Sequence, residues 1–268
     1  MARQGEVGTR DAFDAAAADF AALGRHLWEP VGADAVSVAG PQPGERVLDA
    51  CCGTGASAVP SARQVGPGGL VDAVDVSGPM IAELRERAAG LPQLHAHEAD
   101  VTSWGGAGYD LVQSALGIFF FPDMEAGTRH LIGTARSGGR VAFTIWRRGA
   151  MDPAGRQLAL AVAEVTGAEQ PGERPKRPGD RINQPDTFAA WLNDLGLSEV
   201  DVTVHERALP MTPEIAWLLV LGSGYRGVLG GLDPDQVARV RDRYLARLDE
   251  VGLTELDATT LVGTGIAR

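Results

Sequence analysis

The chain has 268 residues and a formal net charge of −11, with 44% hydrophobic and 22% charged residues. These proportions are ordinary for a globular protein, and the acidic balance argues against nucleic acid as a partner, because phosphate binding needs clustered lysine and arginine. The apolar stretches fall short of the roughly 20 residues that span a bilayer. No signal peptide is visible, so we expect a cytoplasmic protein with no membrane partner.

The N-terminal segment predicts a helix over 11–28, because apolar residues recur at helical spacing from Phe13 to Leu27. Pro30 is expected to end this helix, and a short helical piece over 31–39 follows. We interpret the aromatic residues of this segment as core packing of a lid helix. Phe13 is also a candidate substrate contact.

From residue 46 onward, strands and helices alternate, which is typical of a parallel, doubly wound sheet. Strands are predicted at 46–50, 70–76, 93–98, 109–115 and 140–146, with helices at 56–65, 80–89 and 121–135 between them. Ser77 suits the N-cap of the second of these helices, and Pro79 suits its first turn.

The second half is less regular and predicts one domain with insertions after the fifth and sixth strands. Helices are predicted at 152–167, 185–195, 213–221 and 233–251, and strands at 199–205 and 258–267. Residues 168–184 contain repeated Pro and Gly, so we expect a loop or flap there.

Val47–Gly55 has the pattern of a buried strand that runs into a glycine-rich turn, where backbone N–H groups can approach a ligand. Asp49, Asp75 and Asp100 follow strand ends at the edge where such sheets bind ligands. Asp75 lies 20 residues after Gly55, a separation that suits a carboxylate holding ribose hydroxyls. Three carboxylates with no Lys or Arg in the turn favour a positively charged ligand over a nucleoside triphosphate.

In these residues the chain resembles the class I S-adenosylmethionine-dependent methyltransferases, in particular small-molecule enzymes like the ubiquinone/menaquinone-biosynthesis C-methyltransferases. The resemblance lies in VLDACCGTG (47–55), VDAVDVSGPMIAELRERA (71–88), HEADVTSW (97–104), YDLVQSALGIFFFPD (109–123) and LIGTARSGGRVAFTIW (131–146). It covers roughly residues 45–146. Cys51 stands where the usual motif has its first glycine, a position that a small residue can fill.

The resemblance implies a doubly wound, seven-stranded, mostly parallel sheet of the Rossmann-like methyltransferase fold with helical lid insertions. In these terms residues 1–40 are an N-terminal helical lid and 41–146 the cofactor-binding core of a single domain. Residues 147–184 and 210–232 are substrate-side insertions.

The resemblance also implies S-adenosylmethionine as the cofactor and suggests how it is held. The residues that would line the methionine moiety are Asp49, Cys51, Gly53 and Gly55. The ribose would be held by Asp75, and Ser114 would lie beside the sulfonium. The adenine would contact Val76, Met80, Asp100 and Val101.

Methyl transfer to a small molecule, in specialised metabolism, is the implied activity, and the acceptor side is less defined. No catalytic base stands out, and His97, His205 and Phe120 are weak candidates. Phe119 and Phe120 either wall an apolar substrate, stabilise positive charge by a cation–π contact, or pack the following helix.

An anionic group on the substrate is a further hypothesis, because basic residues cluster in an acidic chain. The candidates are Arg181 and Arg226, with Arg174, Lys176 and Arg177 in the same flap as Arg181. The alternative is a solvated loop. The adjacent cysteines offer neither a disulfide framework nor a zinc site, and we expect no metal site and metal-independent activity.

Two other readings stay open. A protein with this fold can bind S-adenosylmethionine and act as a cyclase or a non-catalytic partner. A nicotinamide-dependent dehydrogenase shares the strand–turn–helix start, with Ala58 in the last place of its glycine pattern, but Asp100 weighs against it. A monomer or a homodimer is expected.

Overall fold

The chain folds around a seven-stranded sheet with strand order β3-β2-β1-β4-β5-β9-β6. The strands are β1 (Arg46–Ala50), β2 (Leu70–Asp75), β3 (Leu94–Glu98), β4 (Tyr109–Ala115), β5 (Ala135–Trp146), β6 (Ser198–His205), β7 (Ala208–Pro210), β8 (Glu255–Asp257) and β9 (Thr260–Ile266). β9 is antiparallel to both of its neighbours, and the other pairs in this sheet are parallel. The doubly wound, mostly parallel sheet expected from the sequence is confirmed.

This computed structural model describes residues 4–172 and 177–268, with side chains from residue 10 onward. The helices are α1 (Gln4–Gly24), α2 (Trp28–Ala39), α3 (Ala58–Val65), α4 (Gly78–Arg87), α5 (Met124–Thr134), α6 (Asp152–Thr166), α7 (Pro185–Asp194), α8 (Pro213–Leu221) and α9 (Pro234–Glu250). Among the described residues, no helix combines the length and the hydrophobicity that a bilayer span requires.

Three apolar clusters hold these layers together. One joins the central strands to α5 and α7, and a second packs α3 and α4 against β1 and β2. The third lies outside the sheet and joins α1 and α2 to α6, α8 and α9. The helices of both insertions therefore share one core with the N-terminal helices and form a cap beside the sheet.

The N-terminal prediction is wrong in one respect. The chain forms two helices, α1 and α2, with a turn at residues 25–27, and Pro30 lies in the first turn of α2 rather than ending a helix. A first-turn proline costs no hydrogen bond, because the N–H groups there have no partner within the helix. Leu23 and Leu27 flank the turn and are fully buried in the cap, so tertiary packing places the break.

The chain also forms a small antiparallel pair, between residues 208–210 and 255–257, that the sequence does not predict. β7 pairs with β8 through Leu209 and Leu256, which are both buried. Strands of three residues carry too little alternation to be recognised. Ser77 does cap α4, where its hydroxyl accepts from the Met80 N–H, and Pro79 lies in the first turn.

The packing of α7 on β9 provides a test of the core. Phe188 is fully buried, and its ring lies against Gly263 of β9, where a Cβ would come within 2.7 Å of the ring. Phe188→Ala is expected to lower the free energy of unfolding by about 3–5 kcal/mol, measured by guanidinium denaturation. The control Val251→Ala, at a side chain 55% exposed, should change it by less than about 0.5 kcal/mol. Equal effects of the two substitutions would contradict this packing.

Candidate functional site

The strand order reverses between β1 and β4, and the carboxyl ends of these two strands carry strained backbone. Cys51 follows β1 with a φ of 57°, and Leu116 follows β4 with a φ of 59°. Left-handed backbone is uncommon for residues with a side chain and persists where the surroundings demand it. In open α/β sheets this switch point is where a ligand crevice forms.

The glycine turn after β1 is tied to the end of β2 by a carboxylate. The N–H of Gly53 donates to Asp75 Oδ2 at 2.9 Å, and the N–H of Ser77 donates to Oδ1 at 2.9 Å. Gly53 has a φ of 52°, which aims its N–H at the carboxylate at little steric cost. Burial raises the pKa of Asp75, while these N–H groups oppose that rise.

Asp49 lies beneath the turn and is fully buried. Its Oδ2 accepts from Ser57 Oγ at 2.7 Å and from Gln113 Nε2 at 3.2 Å. Its Oδ1 has no partner among the described residues. Burial raises the pKa of Asp49 to about 7, although the hydrogen bonds from Ser57 and Gln113 lower it.

The segments that follow β1 and β4 pack closely against each other. A Cβ on Gly117 would lie 2.4 Å from Cys51 Cβ and 2.7 Å from Ser114 Oγ, so only glycine leaves room there. The Ser114 hydroxyl is buried and has no hydrogen-bond partner among the described residues. Burial raises the pKa of the Cys51 thiol well above its usual range, so Cys51 is a neutral side chain here.

Of the residues predicted at the adenine end, two are buried and two are exposed. Met80 is 2% exposed, and its sulfur lies 3.7 Å from where a Cβ on Gly53 would be. Val101 is buried in the core, whereas Val76 is 39% exposed. Asp100 is exposed and accepts from the N–H and the hydroxyl of Thr102, at 2.8 and 2.6 Å. Asp100 therefore caps the short turn that follows it and has its second oxygen left for a ligand.

Helix α1 covers this site. The Phe20 ring lies 3.4 Å from the Cβ position of Gly53 and stacks on Trp28 with ring centroids 4.7 Å apart. Asp14 accepts from Ser77 Oγ at 2.6 Å, so α1 is joined directly to the residue that also binds Asp75. The sequence indicates a lid, but Asp14 carries no motif that could identify this contact.

Ion pairs at both ends hold α1 in place. Arg10 pairs with Glu98 at the end of β3, with 2.8 Å between Nη2 and Oε1. Asp19 pairs with Arg226 of the cap, with 2.7 Å between Oδ2 and Nη1. Helix α1 thus bridges the second and third strands on one side and the cap on the other.

Aromatic rings gather where α1 meets the segment after β4. The Phe13 ring packs edge-on against Phe120 at 5.1 Å, and Phe119 lies 4.8 Å from Phe120. Phe120 is 43% exposed, whereas Phe121 is buried against Gly127 of α5, as expected for a helix-packing residue. The structure therefore brings together the three phenylalanines predicted on the substrate side.

The predicted cationic residues do not gather in the same way. Arg226 is paired with Asp19, and Arg181 pairs with Glu125 at 3.3 Å. Arg177 lies in the short turn before α7, and Arg174 and Lys176 lie outside the described residues. Carboxylates thus pair with both principal arginines, and the binding of an anionic group there stays a prediction.

The histidine candidates lie far from the end of β4. His97 is on β3, with β2 and β1 between it and β4, and its Nε2 is 2.8 Å from Asp72 Oδ1. His205 ends β6 at the opposite edge of the sheet, and its Nδ1 is 3.7 Å from Asp34 Oδ1. His205 and Asp34 thus form a second His–Asp pair besides that of His97 and Asp72. Neither position supports a role as the base.

Taken together, the features around Gly53 fit the cofactor that the sequence motifs imply. Among the described residues, two buried polar atoms near this turn, Asp49 Oδ1 and Ser114 Oγ, lack hydrogen-bond partners, and Gly117 lets the backbone after β4 pack directly against Cys51. An acidic turn that contains glycines and lies at the switch point of the sheet suits a ligand that carries an amino acid end, a ribose and a sulfonium charge.

Part of this chain is similar to known methyltransferases. Residues 47–139 match a family described as a methyltransferase domain. The aklanonic acid methyltransferase DauC of Streptomyces is 34% identical over 137 residues, which is 50% of this chain and 62% of DauC. Nocamycin O-methyltransferase of Saccharothrix syringae is 31% identical over 49% of each protein. The matched region is thus less than two thirds of either relative's length.

A solved structure shows the same fold. The YcgJ protein of Bacillus subtilis superposes with a TM-score of 0.57 at 15% identity, covering 89% of this chain and 98% of that protein. This likeness agrees with the seven-stranded arrangement and covers most of the chain, including segments beyond the sequence motifs.

The raised pKa of Asp49 predicts a pH dependence of stability. The folded chain holds this proton up to about pH 7, while an unfolded Asp releases it near pH 4. Unfolding therefore releases a proton in this window, so stability falls as pH rises, by up to about 1.4 kcal/mol per pH unit. Asp49→Asn should remove this component and gain stability relative to the parent chain between pH 4 and pH 7 in guanidinium denaturation.

A second variant tests whether the pKa of Asp49 causes this pH dependence of stability. Ser57→Ala removes a hydrogen bond that lowers the pKa of Asp49, so the fall in stability should extend to higher pH. A stability difference between Asp49→Asn and the parent that is constant with pH would contradict the raised pKa.

Proposed function

We propose that this member of the class I S-adenosylmethionine-dependent methyltransferases transfers the methyl group of S-adenosylmethionine to a small-molecule acceptor. The observation that carries the proposal is the connection of Gly53 to Asp75, which joins the glycine turn to the ribose-binding acid expected on β2. The match of residues 47–139 to a methyltransferase domain supports it independently.

In this proposal the residues around the turn divide the cofactor among them. The methionine end of the cofactor is held by Asp49, Cys51, Gly53 and Gly55. Asp75 holds the ribose, and Ser114 lies beside the sulfur. The adenine contacts Val76, Met80, Asp100 and Val101. When bound, S-adenosylmethionine supplies an activated methyl group for in-line displacement by the acceptor.

The protein contributes positioning and the exclusion of water. Helix α1 lies over the glycine turn through Phe20, and in this proposal it keeps water from the reacting atoms. Orienting two reactants and removing water lowers the barrier without a charged catalytic group. With His97 and His205 both three strands from β4, we propose that neither of them acts as a base toward the acceptor.

The acceptor that suits the surroundings is largely apolar. Phe13, Phe119 and Phe120 line the approach from the β4 end, and the nearby arginines are already paired with carboxylates. The names of the two relatives refer to aklanonic acid and to O-methylation of nocamycin. We therefore propose an acceptor from specialised metabolism, methylated on oxygen.

Asp75 provides the direct test. Asp75→Ala should weaken S-adenosylmethionine binding at least tenfold in calorimetry, because a charged acceptor of hydrogen bonds is lost from the ribose position. The matched control is Asp186→Ala, at an exposed position in the first turn of α7, which should bind as the parent does. Unchanged affinity in Asp75→Ala would contradict the proposed cofactor position.

Turnover distinguishes the activities. The parent chain should convert S-adenosylmethionine to S-adenosylhomocysteine when incubated with a panel of apolar hydroxyl-bearing acceptors, with the methylated product identified by mass spectrometry. Tight cofactor binding with an altered acceptor and no S-adenosylhomocysteine would instead indicate a cyclase. Tight binding with no change in any acceptor would indicate a non-catalytic partner.

The position of α1 predicts a gating step, because the cofactor must pass this helix to reach Gly53. Asp19→Asn and Arg226→Gln each break the ion pair between α1 and the cap, which is worth about 0.2–1 kcal/mol at a partly exposed site. Each should speed cofactor association roughly twofold to fivefold, followed in stopped flow by tryptophan fluorescence, since Trp28 stacks on Phe20 of the lid.

The double variant should be no faster than either single variant, because both remove the same interaction. Arg243→Gln, which breaks the α9–α6 pair with Glu164 away from α1, serves as the control and should leave the rate unchanged. Association rates equal to those of the parent in both single variants would contradict gating by this ion pair.

A further inference from the structure

Two histidines and an aspartate meet on the outer pair of strands, away from the proposed methyl-transfer site. His95 and His97 alternate on β3, so both side chains point to the same face of the sheet. Asp72 of β2 lies directly opposite His95 in the strand register. One nitrogen of each histidine and one oxygen of Asp72 lie within 4.8 Å of one another.

The spacing of these three donor atoms suits a single metal ion. His97 Nε2 is 2.8 Å and His95 Nδ1 is 4.0 Å from Asp72 Oδ1. Tetrahedral coordination with bonds near 2.0–2.1 Å separates neighbouring donors by roughly 3.3 Å, which lies between these two distances. The His95 side chain is 55% exposed and the His97 side chain 35%, so small rotations can close the set around an ion.

The carboxylate of Asp72 is oriented by a hydrogen bond to its other oxygen, as is usual for carboxylates that bind a metal. Tyr109 donates its hydroxyl hydrogen to Asp72 Oδ2 at 2.9 Å, and Trp104 Nε1 donates to the Tyr109 oxygen at 2.9 Å. The hydrogen bond from Tyr109 occupies Oδ2 of Asp72, and the other oxygen, Oδ1, faces the histidines. Such partners orient a ligand and tune its affinity.

The negative charge of Asp72 is not balanced by an arginine. Over residues 4–172 and 177–268, its ion-pair partners are His95 and His97 alone. A divalent cation bound among these three side chains would balance the charge of Asp72.

We propose that Asp72, His95 and His97 form a binding site for one late first-row transition metal ion, such as Zn²⁺ or Co²⁺. Two imidazole nitrogens and one carboxylate oxygen favour these ions over Mg²⁺ or Ca²⁺, which take oxygen ligands. Three protein ligands leave a coordination position open to water. The bound ion joins the edge strand β3 to β2, and it lies three strands from β4, so methyl transfer itself stays predicted to be metal-independent.

The test uses the untagged full chain, stripped of metal with a chelator and transferred to chelator-free buffer. Zn²⁺ titrated by calorimetry should bind with one ion per chain, and Co²⁺ should give visible absorption bands that saturate at the same ratio. His95→Ala and His97→Ala should each weaken Zn²⁺ binding at least tenfold. The matched control His26→Ala, on the turn between α1 and α2, should bind as the parent does.

The variant Tyr109→Phe distinguishes metal binding by the oriented set of three ligands from nonspecific binding by exposed histidines. It keeps the buried ring and removes only the hydroxyl that orients Asp72, so it should weaken Zn²⁺ binding about tenfold at unchanged stoichiometry. A surface pair of histidines without Asp72 would not respond to this change.

A measurement on the parent chain alone covers the case in which a variant fails to fold. Zn²⁺ should raise the melting temperature, because it binds the folded chain, while Mg²⁺ at the same concentration should not. The absence of saturable Zn²⁺ binding, binding unchanged in the histidine variants, or an equal effect of Mg²⁺ would each overturn the proposal.

Discussion

The site depends on one interaction, the hydrogen bond from the Gly53 N–H to the carboxylate of Asp75. It connects a turn after β1 to the end of β2, and the same carboxylate also fixes the start of α4 through the Ser77 N–H. Backbone donors hold a buried carboxylate more firmly than flexible side chains do, since they lose no rotamer freedom. The position of the turn is therefore set by the sheet.

The cap is connected to Asp75 through Ser77 and helix α1. Ser77, which binds Asp75 through its N–H, binds Asp14 of α1 through its hydroxyl. Helix α1 then continues past Gly53 to the cap, where Asp19 meets Arg226. The glycine turn, the lid and the cap are thus linked through a short series of polar contacts, and a change at Asp75 is felt in all three.

The charges of this acidic chain are used mostly within the fold. Arg181 and Arg226 stand out in sequence as candidates for binding an anion, but both are paired with carboxylates from distant elements. In a chain with 35 acidic and 24 basic residues, an arginine near the surface readily finds such a partner. The rings of Phe13 and Phe119 instead pack against Phe120, which is 43% exposed, and this apolar cluster supports the proposal of an apolar acceptor.

The contact of Asp72 with His95 and His97, on the outer strands β2 and β3, could not be predicted from the sequence pattern. His95 and His97 are visible in sequence as an alternating pair, but Asp72 lies 23 residues before His95 and belongs to no recognisable motif. Only the parallel register of β2 and β3 places the carboxylate opposite His95. The sequence-based expectation of no metal site could not take this arrangement into account, because it depends on the strand register.

The sequence by itself determined the order of strands and helices and the sheet class, because hydrophobic periodicity and glycine turns are local properties. It also identified the residues at the carboxyl ends of β1, β2 and β4, since connections in such sheets bring those ends to one edge. Tertiary structure alone decided the break between α1 and α2, the pairing of Arg226 with Asp19, and the meeting of Asp72 with the histidines. Each of these depends on residues far apart in sequence, and their contacts are selected by packing and register rather than by any local preference.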